Sequence, residues 1–159
     1  MDDITCFNIL IDTLTKKSNI LDELTALTEK QKTCMEETPF HYDLFDSYMD
    51  DKEQLIETLN QLDNGFDKVY SHLKSDVLIT LPKYEHQIKR LKELIVCITE
   101  KSLRLEGFEQ SNKRSLEIIL RIQKKEVRDI KQNNSMAMKY YKNMSGSESY
   151  ESCFLDKKK

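Results

Sequence analysis

The residue types that most often do chemistry are all present in this chain, but none is spaced to do it. His41, His72 and His86 stand alone, with no HExxH and no two-His-carboxylate pattern around them, so a metal site is not expected. Cys6, Cys34, Cys97 and Cys153 are an even number but lie far apart, without a CxxC, and read as reduced thiols that fill helix seams. Gly65, Gly107 and Gly146 are too isolated to make a phosphate-binding loop. No strand-turn-helix nucleophile motif occurs, and acidic groups such as Asp50, Asp51 and Glu53 fit a solvated helix face. The expectation is a protein that is not an enzyme, takes no cofactor and acts by binding.

Charge is distributed in a way that bears on what could be bound. Residues 1–80 carry 7 Lys or Arg against 17 Asp or Glu, whereas residues 81–159 carry 18 against 11, so an acidic half precedes a basic one. The two halves should attract each other in the folded chain. Nucleic acid is the rival partner, because Lys113, Arg114, Arg121, Lys124, Lys125, Arg128 and Lys131 follow one another. Glu117, Glu126 and Asp129 interrupt that series, and neutralising the chain's own acidic half accounts for it more simply, so nucleic acid is disfavoured. No basic leader and no apolar run of membrane-spanning length is visible, and a cytoplasmic location is expected.

With three Gly and two Pro in 159 residues, little is left for turns and sheets, and the chain reads as all-α. Apolar residues recur at steps of three and four throughout. A first helix, about 3–37, is capped by Asp2 or Asp3, has the seam Ile4, Phe7, Ile11, Leu14, Ser18, Leu21, Leu24, Leu27 and Cys34 or Met35, and is stopped by Pro39. A second, about 42–74, carries the heptad Tyr48, Lys52, Leu55, Leu59, Leu62, Phe66, Val69 and Leu73, with Lys52 its one polar member. A third runs from 81 to 131, with Thr80 as its N-cap, Pro82 in its first turn and a length of about 75 Å. Its seam is Tyr84, Ile88, Leu91, Ile95, Ile98, Leu105, Phe108, Leu116, Ile119, Ile122, Val127 and Ile130.

Short connections make these helices antiparallel neighbours, which predicts an elongated antiparallel three-helix bundle or coiled coil with a long third helix and a flexible C-terminal tail. In that register the acidic start of helix two lies beside about residues 100–115, and the third helix overhangs beyond about Lys113. Phe108 breaks the strict heptad from Leu105, and such a frame shift implies a change of packing partner, from which a homodimer through the overhang is expected. The tail, 132–159, contains an apolar cluster of Met136, Met138, Tyr140, Tyr141 and Met144, partly helical near 136–144, before a Gly/Ser/Glu linker that should be disordered.

Two stretches carry a family resemblance. Lys52-Glu53-Gln54-Leu55-Ile56, followed by Leu59, Leu62, Asp63, Gly65, Phe66, Val69 and Tyr70, resembles the central helix of flagellar export chaperones of the FlgN/FliT type from clostridia-like bacteria. Tyr140-Tyr141-Lys142-Asn143-Met144, a Ser-rich spacer and the ending Phe154-Leu155-Asp156-Lys157-Lys158-Lys159 resemble the close of the same group. The resemblance implies a cytoplasmic chaperone of the type III export pathway. It would hold an amphipathic helical segment of a hook-associated or filament-cap subunit, prevent premature assembly and deliver the subunit to the export apparatus. Client-binding residues would then be Leu116, Ile119, Ile122, Val127, Ile130, Met136 and Met138, with Tyr140 and Tyr141 as export-gate contacts by position. A structural coiled-coil scaffold without a client is the alternative reading of the same heptads.

Overall fold

The structure, a computed structural model, describes residues 1–73 and 82–131, the side chains of Pro82, Ile130 and Lys131 excepted. The chain is all-α: helix α1 spans Asp3–Glu36, α2 spans Tyr42–Tyr70, a 3₁₀ turn spans Pro82–Tyr84, and α3 spans Glu85–Lys131. No strand occurs among the described residues. Thr80, the expected cap of the third helix, lies outside them, as do Met136, Met138, Tyr140, Tyr141 and the rest of the tail.

Each helix boundary has a local cause. At the start of α1, Asp2 rather than Asp3 is the cap: its Oδ1 accepts a hydrogen bond from the Thr5 amide at 2.9 Å. Within α1 the hydroxyls of Thr13, Thr15 and Thr25 each donate to the carbonyl four residues back at 2.8 Å, so residues of low helix propensity have their polar groups satisfied inside the helix. The corner to α2 is short and aromatic, with the Phe40 ring edge-on to Tyr42 and Phe45 at 5.9 and 5.5 Å between centroids. Helix α2 stops at Tyr70, short of the expected residue 74. There the His72 and Leu73 amides turn to the carbonyls of Val69 and Tyr70, three residues back, which tightens the last turn and ends the ladder.

The contacts divide the chain into two compact units. Unit 1 is Met1–Ala26 with Gln54–Glu106, and unit 2 is Leu27–Glu53 with Gly107–Lys159. In unit 1, Phe7, Leu10, Leu14, Leu21 and Leu24 of α1 are buried together with Ile56 of α2 and Leu91, Leu94, Ile98 and Leu105 of α3. Phe7 packs its ring on Tyr84 at 5.0 Å, and Lys101 donates to Ser18 Oγ and Asp22 Oδ2, both at 2.8 Å. These pairs rise together along the chain, so α1 and α3 run parallel, each antiparallel to the α2 between them in sequence. Lys17 meets Asp63 at 2.7 Å on the surface of the same unit.

Several seam positions differ from the sequence expectation by one residue. Leu10 is buried where Ile11 is expected, Met49 and Ile56 where Tyr48 and Leu55 are expected, and Leu94 in place of the exposed Ile95. Where two apolar residues are adjacent on a helix, periodicity accommodates either, and the position of the facing helix selects the one that turns inward. Lys52 keeps its expected place in the seam.

Candidate functional site

The expected client-binding residues do not share one exposed face. Leu116 is 4% and Val127 1% exposed, so both are core, Ile119 is half-buried, and Ile122 is 53% exposed. The side chain of Ile130 and all of Met136, Met138, Tyr140 and Tyr141 lie outside the described residues. Burial of Leu116 and Leu120 also corrects the expected overhang, because α3 does not leave the bundle at Lys113. The Asn112 amide donates to the Thr28 carbonyl at 2.8 Å, which sets the register. Glu36, the last residue of α1, thus stands level with Leu120, since each lies eight residues further along its helix. The acidic start of α2 does lie in the unit that holds α3 from Gly107 onward.

The outward face of α3 in unit 2 carries Ile118, 51% exposed, and Ile122, one helical turn apart. Ile118 was not singled out from the sequence, although its four-residue spacing from Ile122 would have paired them. Arg121, Ile122, Lys124, Lys125 and Arg128 line a surface hollow on this helix. An exposed isoleucine flanked by Arg121, Lys125 and Arg128 suits an amphipathic segment that is acidic beside its apolar stripe.

A polar layer runs through the core of unit 2, nearer the start of its α3 segment. Lys52 of α2 is fully buried, and its ammonium donates to Gln31 Oε1 at 2.7 Å and to Glu109 Oε1 in a direct ion pair. Thr28 Oγ1 donates to the same carboxylate oxygen at 2.9 Å, and Gln31 Nε2 donates to the Phe45 carbonyl at 3.3 Å. With Asn112 on the Thr28 carbonyl, all three helices contribute to one connected network. The layer explains the frame shift seen in the sequence. The buried seam of α3 goes from Leu105 to Glu109, not to Phe108, and takes a second four-residue step from Leu116 to Leu120. The change is therefore from an apolar to a polar core, and no second chain is needed to account for it.

Asp46 and Cys34, both in unit 2, are each pushed upward. Asp46 is pushed above the ordinary carboxylate range by partial burial and by the nearby charges of Asp50, Asp43 and Glu53. Burial, helped by the Glu37 carboxylate, pushes the Cys34 thiol up and leaves it less reactive than a free thiol. Cys6 and Cys34 are free and buried, and Cys97 is free and partly exposed. Among the described residues no cluster of His, Cys, Asp and Glu could hold a metal ion, and no helix is long and apolar enough to cross a membrane. No protein-family model, curated protein or solved structure matches the chain.

Proposed function

We propose that this protein is a helix-binding export chaperone of the flagellar FlgN/FliT type, cytoplasmic and without enzymatic activity. The observation that carries the reading is the exposed Ile118 and Ile122 on one face of α3, with Arg121, Lys125 and Arg128 beside them. An amphipathic helix from a hook-associated or filament-cap subunit would seat its apolar stripe on the isoleucines and its acidic flank on the cations. The Lys52 to Tyr70 stretch of α2 supports the family assignment by resemblance. Delivery to the export apparatus and the roles of Tyr140 and Tyr141 in it belong to the same proposal. So does a homodimer, which a monomer mass in light scattering at micromolar concentration would exclude.

The test is a pull-down from the cytosol of a flagellated bacterium with the full chain and with Ile118→Asp/Ile122→Asp. Capture of a hook-associated or cap subunit by the parent but not by the variant is the expected result. Equal capture by both would move the site off this face. Nucleic acid is the second reading, favoured by the cationic hollow, and affinity for DNA falling steeply with added salt would support it in place of the first.

A further inference from the structure

Two features of unit 2 cost stability that an apolar core and an unbroken run of good helix formers would not cost. The first is the polar layer, which takes an ammonium and a carboxylate out of water at a cost their mutual attraction does not reliably recover, whereas unit 1 is buried almost wholly through apolar side chains. The second is Gly107, at which the α3 segment of unit 2 begins. A Cβ added there would meet nothing within 4 Å, so packing does not require a glycine, yet glycine weakens the helix relative to alanine by a factor of about five. Gly65 does the same in unit 1, so the polar layer is what sets unit 2 apart, and Gly107 marks where its α3 segment can part.

We propose that unit 2 opens by itself under native conditions, α3 losing its helical turn at Gly107 and residues 107–131 parting from the α1–α2 hairpin while unit 1 stays closed. The hydrogen-bond pattern fits that line of separation. Parting breaks the Glu109 bonds to Lys52 and Thr28 and the Asn112 bond to Thr28, and water takes over each of these charged or polar groups. The Lys52–Gln31 and Gln31–Phe45 bonds lie between α1 and α2 and keep the hairpin together. Opening uncovers Met35, Phe45 and Met49 on one side and Leu116 and Leu120 on the other, an apolar surface rich in adaptable methionine that fits an amphipathic helix. Use of that surface by a client rests on the chaperone reading; the opening itself does not.

Native-state hydrogen exchange with peptide-level mass spectrometry, together with alkylation of the buried Cys34 thiol, tests the opening on the full chain. Amides of 27–53 and 107–127 should exchange through an opening at least tenfold more populated than the one that exposes 10–24 and 91–105. Gly107→Ala should slow both unit 2 exchange and Cys34 alkylation about fivefold. The triple variant Lys52→Met/Glu109→Met/Gln31→Leu should slow them about tenfold or more. Gly65→Ala, an equally unhindered glycine of unit 1, should leave the unit 2 rates unchanged. Equal protection of the two units in the parent, or equal effects of the two alanine variants, overturns the proposal, and Gly107→Ala decides the matter if the triple variant does not fold. A failed exchange test leaves the Ile118 and Ile122 surface standing as the binding site. A failed capture leaves the opening standing.

Discussion

Replacing Lys52 with methionine keeps the length and most of the volume of the side chain while removing its charge, and the structure makes the consequence large. The ammonium is fully buried and holds two acceptors, Gln31 Oε1 and Glu109 Oε1. Without it, the Glu109 carboxylate, 6% exposed as a residue, keeps the Thr28 hydroxyl but loses its counter-ion. An uncompensated buried charge of this kind costs about 3–5 kcal/mol, against about 0–1 kcal/mol for an exposed pair. For a chain of this length each kcal/mol lowers the melting temperature by roughly 2–4 °C, so Lys52→Met should lose about 6–20 °C. Glu109→Met should cost a similar amount by stranding the lysine. The double variant should recover most of the loss, leaving a coupling of several kcal/mol in the double-mutant cycle. Urea unfolding followed by circular dichroism gives all four stabilities. A loss under about 1 kcal/mol for Lys52→Met, or additive single effects, would refute the view that the pair forms one buried unit.

Three further outcomes follow from single sites. The folded state binds the Asp46 proton more tightly than the unfolded chain does, so Asp46 costs stability above its raised titration range and nothing below the ordinary carboxylate range. Asp46→Asn should therefore stabilise at neutral pH, with the advantage gone in acid, as urea midpoints at the two pH values will show. Asp2 is held below the ordinary carboxylate range by its hydrogen bonds to Thr5, so its capping contribution is complete above that range and fades as pH falls through the lowered value. Asp2→Ala should speed exchange of the first-turn amides of α1 at neutral pH, and no change there would dismiss the cap. Gly65→Ala should stabilise the protein by about 1 kcal/mol, because the added methyl meets no neighbour; a destabilised variant would show that the glycine is needed.

The amino-acid sequence by itself determined the helical class, the three long helices among the described residues and the stop near Pro39, because each of these follows from periodicity and local backbone preference. It also marked the frame shift near Phe108 and the polar member Lys52 in the second heptad. It did not reveal what those two anomalies mean. Lys52 and Glu109 are 57 positions apart, and only the packing of three helices brings them to one oxygen, with Thr28 and Gln31 beside them. Tertiary structure likewise decided between adjacent apolar residues, turning Leu10, Leu94 and Leu120 inward and leaving Ile95 and Ile122 in solvent. That choice separated Leu116 and Val127, which are core, from Ile118 and Ile122, which can meet a partner directly. A helical repeat fixes which residues can share a face to within about one position, but the direction that face points is set by the neighbour it packs against, and the neighbour is remote in the chain.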